Sequence, residues 1–326
     1  MPLGFDFPLE KLQTYQGINP RPADFEVYWD QALAEMRATD PQLTITPAEF
    51  QAPGVTCSDL YFTGVGGARV HAKLLQPEPA RTTPGPAVVF FHGYFGDSGD
   101  WLDKLPYADR GFTVAALDCR GQGGLSEDSG GTTGTTVKGH IIRGLSDALE
   151  GRPERLMYRQ IFLDCAQLAG IVMSLPGVDA TRVGATGGSQ GGALTVACAA
   201  LEPRIKRAAP TFPFLSDYQR VWEMDQAKDA YDELREYFRR RDPLHKSEQR
   251  VWEALGHIDI QHLAHRVRAE VMWTIGLMDT VCPPSSQYAC YNKIQSPKRM
   301  VTYADYGHEI RLPGSNDLIF QFLMGL

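Results

Sequence analysis

Ser189 stands in Gly187-Gly188-Ser189-Gln190-Gly191, between the apolar run Arg182-Val183-Gly184-Ala185-Thr186 and the helix-forming Gly192-Ala193-Leu194-Thr195-Val196-Ala197. This is G-x-S-x-G in the context of a strand, a very tight turn and a helix. Such a turn pushes the serine outward in a strained backbone conformation and leaves its hydroxyl exposed. A Cβ on the neighbouring residues would collide with the adjoining strand or helix, and Gly187, Gly191 and Gly192 supply the clearance. The chemistry on offer is nucleophilic acyl transfer. The pentapeptide alone also describes a glycine-rich connection with an incidental serine, so the expectation depends on what lies downstream.

A hydroxyl is a poor nucleophile near neutral pH. It needs a base within hydrogen-bonding reach and a carboxylate to orient that base. In the α/β-hydrolase arrangement the chain order is serine, acid, histidine, with the last two in loops at the carboxyl ends of strands. His308 meets that condition, because it follows Met300-Val301-Thr302-Tyr303 in the segment Ala304-Asp305-Tyr306-Gly307-His308-Glu309, just before a closing helix. His245, His257, His262 and His265 fall instead in a helix-prone stretch. The last three lack a cysteine or carboxylate at a recognised ligand spacing, so no metal is expected. Asp279 ends Trp273-Thr274-Ile275-Gly276-Leu277-Met278-Asp279 ahead of a proline-stiffened loop, which is a rigid seat for a carboxylate. The competing reading of Asp279 is a cap on the next helix. Asp305 and Glu309 are rivals by proximity, but so close to His308 they would struggle to reach the ring nitrogen facing away from the serine.

The tetrahedral intermediate also needs donors aimed at its oxyanion. One expectation is the backbone N–H of Gln190, the residue after the serine. The other is the Tyr94 N–H, from His92-Gly93-Tyr94-Phe95-Gly96 after the first core strand. His92 is expected to fix this loop by hydrogen bonding rather than to act as a base.

The elements that must position these groups follow from apolar periodicity. Phe25, Tyr28, Trp29, Leu33 and Met36 recur at helical spacing. Val55 to Thr63 and Arg69 to Gln76 alternate on either side of Gly64-Val65-Gly66-Gly67-Ala68 and read as a β-hairpin. Unbroken apolar strands then follow at Ala87–Phe91, Phe112–Leu117, Arg182–Thr186, Ile205–Pro210, Val271–Ile275 and Met300–Tyr303. Strands apolar on both faces predict a mostly parallel sheet covered by helices on each side, an α/β class. A long helix is expected over about Glu154 to Leu175, and a closing helix after Ser315-Asn316. The charged stretch Phe212 to Val267 is expected as a helical insertion outside the sheet, over the site or at a subunit contact. The whole chain, 1–326, reads as one domain with an N-terminal helix and hairpin extension over 1–86.

A formal net charge of −7 gives no general attraction to nucleic acid or acidic membranes. No apolar stretch approaches the roughly 20 residues of a membrane span, and the first residues show no secretory pattern. The six cysteines contain no C-x-x-C pair and read as reduced, mostly buried thiols in a cytoplasmic protein.

With these residues in hand, the chain resembles the carbohydrate esterase family of cephalosporin C deacetylases and acetyl xylan esterases, carbohydrate esterase family 7. The resemblance rests on Arg120-Gly121-Gln122, Gly187-Gly188-Ser189-Gln190-Gly191 and His308-Glu309, in that order. Met1-Pro2-Leu3, Pro22-Ala23-Asp24-Phe25, Arg241-Asp242-Pro243 and Gly276-Leu277-Met278-Asp279-Thr280-Val281-Cys282-Pro283-Pro284-Ser285 are also similar. It implies a deacetylase of short acyl esters that needs no metal or cofactor, with Ser189, Asp279 and His308 as triad and the Tyr94 and Gln190 amides as oxyanion hole. It further implies an intracellular homo-oligomer, commonly a hexamer whose sites face an internal cavity that excludes polymers. Arg120 and Gln122 are read as structural, holding loops near the elbow. A serine peptidase or acyltransferase on the same fold and a non-catalytic hydrolase-like binding protein are the alternatives, since fold does not fix the acyl acceptor.

Overall fold

The computed structural model describes residues 4, 6–78, 83–127, 139–309 and 311–326. Its strands are β1 (Thr44–Pro47), β2 (Val55–Thr63), β3 (Arg69–Pro77), β4 (Gly85–Phe91), β5 (Thr113–Leu117), β6 (Val178–Gly188), β7 (Arg207–Thr211), β8 (Glu270–Gly276) and β9 (Lys298–Tyr303). They form one sheet in the order β1-β2-β3-β5-β4-β6-β7-β8-β9. The pairs from β1 through β3 to β5 are antiparallel. All pairs from β5 through β4 to β9 are parallel. This is the mostly parallel sheet that the apolar strands predict, in the α/β-hydrolase arrangement expected from the Ser189 elbow.

Successive side chains on a strand point to opposite faces, so an unbroken apolar run serves two layers. On β4, Ala87, Val89 and Phe91 enter one core, while Val88 enters a second and Phe90 packs against it. The first and larger core lies under helices Phe25–Ala38, Met157–Ser174 and Gln190–Leu201. The second lies under Leu105–Ala108 and Ser315–Leu323. No helix among the described residues is long and apolar enough to cross a membrane.

Several boundaries differ from expectation for identifiable reasons. β6 outruns Arg182–Thr186 at both ends, because its pairing begins at Gly85↔Val178 and continues to Phe91↔Gly187 and Gly188↔Thr211. A 3₁₀ turn at Pro153–Arg155 delays the long helix to Met157. β1 has no counterpart among the expected strands: it is four residues long with every side chain exposed, so it carries no alternation of burial. Between β7 and β8 the chain forms helices Tyr218–Glu223, Asp232–Arg241, Glu248–Leu255 and Ile260–Leu263, and adds no strand.

The hairpin also builds a buried charge cluster. Its register sets Asp59 opposite Lys73, so Asp59 and His71 are diagonal neighbours on one face. His71, fully buried, bridges Asp59 Oδ1 at 3.0 Å and Asp118 Oδ2 at 2.6 Å. Asp118 also accepts the Ser98 and Leu125 amides at 2.6 and 2.9 Å. Burial works to raise the Asp118 carboxyl, but these hydrogen bonds outweigh it and hold the group well below the usual carboxylate range. Its stabilisation is therefore present above the ordinary aspartate value of about 4 and is lost progressively in more acid solution. Asp118→Asn is expected to lower the unfolding free energy by about 2 kcal/mol at neutral pH. The difference should shrink by about pH 3. Urea unfolding of both proteins at the two pH values checks it.

Candidate active site

Ser189 sits where β6 ends and helix Gln190–Leu201 begins, at φ 56° and ψ −118°. A non-glycine residue reaches that region only when its surroundings force it. The forcing comes from close packing of the turn against the end of β4. A Cβ on Gly187 would lie 2.4 Å from the Phe91 carbonyl oxygen, and one on Gly191 only 2.1 Å from the same atom. The Ser189 N–H is held by Thr211 O at 3.0 Å, which ties the turn to the end of β7.

His308 and Asp279 come from the loops after β9 and β8, and the main chain laces those loops together. Leu277 N–H donates to Tyr303 O at 3.0 Å and Met278 N–H to Tyr306 O at 2.9 Å. Gly276 permits the crossing, since a Cβ there would meet Tyr306 O at 2.5 Å. The result is a continuous chain of contacts. His308 Nε2 is 3.0 Å from Ser189 Oγ, and His308 Nδ1 is 2.8 Å from Asp279 Oδ2. Asp279 is fully buried, and its other oxygen accepts the Val281 and Cys282 amides at 2.9 and 2.8 Å. The Phe212 ring packs against His308 with centroids 4.5 Å apart. Asp305 and Glu309, the sequence rivals for the acid, are both exposed.

Gln190 is the first residue of its helix, so its N–H has no intrahelical acceptor. Its side chain is fully buried and holds the neighbouring loop. Gln122 and Gln190 pair amide to amide, Nε2 of Gln122 donating at 2.7 Å and Nε2 of Gln190 returning at 3.0 Å. Gln190 Oε1 also accepts the Tyr158 hydroxyl at 2.8 Å, and Gln122 Oε1 accepts the Phe95 N–H at 2.9 Å. His92 Nδ1 lies 2.7 Å from Gly93 O, while Nε2 accepts the Cys119 N–H at 3.0 Å. Tyr94 stands in this braced loop, beside the elbow.

A family model described as acetyl xylan esterase matches residues 1–326. The chain belongs to the acetyl xylan esterase family. It is thereby a carboxylic ester hydrolase. Acetyl xylan esterase 1 from Thermoanaerobacterium sp. JW/SL YS485 is 53% identical, with a TM-score of 0.95 over 98% of this chain and 99% of that one. The acetyl xylan esterase from Paenibacillus sp. R4 is 34% identical, with a TM-score of 0.91 and the same coverage, 98% and 99%. Acetyl esterase Axe7A of Xylanibacter ruminicola is 26% identical over 90% of this chain, which spans 64% of that protein's length.

Of the remaining motif residues of this family member, Gln122 reaches the elbow through Gln190, whereas Arg120 ties the hairpin turn to helix Met157–Ser174. Arg120 is fully buried and makes a two-pronged pair with Asp164, Nε to Oδ2 at 2.7 Å and Nη2 to Oδ1 at 2.5 Å, while Nη1 donates to Val65 O at 2.9 Å. Gly121 takes φ 70° in the turn between Arg120 and Gln122. Helix-borne His257, His262 and His265 reach three different partners, Asp24, the Asn19 carbonyl and Glu26, and so tie the insertion to the N-terminal segment. Asp279, Cys282 and His308 do offer ligand atoms within 4.8 Å of one another. Asp279 is already engaged by His308 and by two backbone amides, and burial, with the Asp279 charge, raises the Cys282 thiol well above its ordinary value. A cavity of about 820 Å³ lies beside the elbow, walled by Gly187, Gly188, Phe212, Tyr107 and Phe320. It shares Phe212 with the His308 contact, but neither Ser189 nor His308 lines it.

Sequence reasoning missed Tyr158 and Glu233, which reach Gln190 and Tyr94 from afar. Glu233 carried one usable signal. It stands four residues before Tyr237 and so shares the buried face of its helix.

Proposed function

We propose that this chain removes acetyl groups from small acetylated substrates, such as acetylated xylo-oligosaccharides, other acetylated sugars and cephalosporin C, through an acetyl-serine intermediate. The unbroken contact from Ser189 Oγ through His308 to Asp279, at 3.0 and 2.8 Å, carries the reading. His308 Nε2 takes the Ser189 proton as the oxygen attacks the acetyl carbonyl carbon. Asp279 keeps the Nδ1 proton in place and offsets the imidazolium charge. The N–H groups of Tyr94 and Gln190 receive the oxyanion. His308 then gives its proton to the departing alcohol as the carbon–oxygen bond breaks. Water, deprotonated by His308, attacks the acetyl-enzyme and releases acetate with the serine restored.

The same reading extends to a homo-oligomer, the hexamer that the resemblance implies, and to the cytoplasm. All six cysteines are free and buried, which fits a reducing compartment.

The test is acetate release from acetylated xylo-oligosaccharides of increasing length, alongside cephalosporin C. A steep fall with length is expected of a site enclosed in an assembly. Equal rates at all lengths would remove the enclosed site, and no acetate from any member of the panel would overturn the esterase reading.

A further inference from the structure

Glu233 belongs to helix Asp232–Arg241 of the insertion and is only 7% exposed. A buried carboxylate is costly unless hydrogen bonds replace its water. Here they come from Tyr94, in the loop beside the elbow, and from the main chain at Ile142. The Tyr94 hydroxyl donates to Oε1 at 2.5 Å, and the Ile142 N–H donates to Oε2 at 3.0 Å. The Tyr94 hydroxyl in turn accepts the His140 N–H at 2.8 Å. Gly139, at φ 106°, comes so close that a Cβ on it would lie 2.3 Å from Oε2. The seat is built around the acid.

The loop that contains Tyr94 is fastened on both sides of it, through His92 to Cys119 and through Phe95 to Gln122. Tyr94 itself is fastened through its ring, which packs on Phe214 with centroids 5.6 Å apart and ends on Glu233. We propose that Glu233 is the positioning residue of the oxyanion loop, gripping the Tyr94 hydroxyl so that the Tyr94 N–H points at the reacting carbonyl. The inference rests on the reading of that amide as an oxyanion donor. It gives the insertion a part in catalysis without any contact to substrate. A donor displaced by a fraction of an ångström weakens the transition state more than it weakens substrate binding.

The experiment compares Glu233→Gln, Tyr94→Phe and the double variant on p-nitrophenyl acetate, with thermal unfolding scans of each. Each single change is expected to lower kcat by about 10- to 100-fold. KM should move by less than about threefold. The double variant should be no slower than the worse single one, because both cut the same link. Amide hydrogen exchange of the peptide spanning Tyr94 should quicken in Glu233→Gln. A folded Glu233→Gln with unchanged kcat, a loss that appears in KM instead, or additive losses would each overturn the proposal. If Glu233→Gln does not fold, Tyr94→Phe decides, since it removes one hydroxyl and keeps the ring, and an unchanged kcat overturns it. Ser189→Ala separates the two levels. Residual full turnover there sinks the esterase reading itself, whereas a dead Ser189→Ala beside a fully active Glu233→Gln sinks this proposal alone.

Discussion

Ser189→Ala is expected to lower kcat on p-nitrophenyl acetate by about 10⁵- to 10⁶-fold, with the fold unchanged. The size follows from what is removed. Without the hydroxyl no acetyl-enzyme forms, and the residual rate comes from substrate held against the oxyanion donors. The unchanged fold follows from the backbone. The turn is held by Thr211 O on the Ser189 N–H and by the packing of Gly187 and Gly191 on Phe91, none of which involves the hydroxyl. Alanine is no more strained than serine at φ 56°. Steady-state rates and labelling by a fluorophosphonate check the two halves: loss of both turnover and label is the expected pair. A variant that keeps its turnover would mean that another group attacks the ester.

Asp279→Asn is expected to cost about 10⁴-fold in kcat, and the structure supplies a specific reason. Oδ1 of Asp279 accepts two backbone amides, from Val281 and Cys282. An asparagine must leave its carbonyl oxygen on those donors and turn its NH₂ toward His308. That NH₂ donates where Nδ1 now donates, so Nδ1 has to accept and the ring proton moves to Nε2. Nε2 faces Ser189 Oγ at 3.0 Å and can then no longer take its proton. The loss should fall on kcat with little change in stability, because the asparagine keeps both amide bonds. Substitution of the exposed Asp305 is the internal comparison and should leave kcat within about twofold. A drop there equal to that of Asp279→Asn would point to the wrong carboxylate.

The parts of this molecule legible in the sequence are those whose physics is local. The elbow announces itself because a strained serine requires small neighbours within two residues on either side. His308 and Asp279 follow from chain order and from loops that end strands, and the sheet follows from apolar runs such as Ala87–Phe91 that must face two layers. Contacts formed across the fold leave no such trace. Tyr94 and Glu233 lie 139 residues apart, and Tyr158 reaches Gln190 across 32. The His71 cluster needs the hairpin register to bring Asp59 alongside and β5 to deliver Asp118. β1 lacks any burial pattern, so only its partner β2 reveals it.

The lacing of the β8 and β9 loops runs through peptide groups: Leu277 to Tyr303 and Met278 to Tyr306. Peptide groups are common to every residue but proline at the donor positions, so the seating of the imidazole depends on main chain and on the bare Gly276 beneath it rather than on the side chains between Tyr303 and Tyr306. Ala304 and Asp305 can therefore change in the course of evolution while His308 keeps its place beside Ser189 and Asp279.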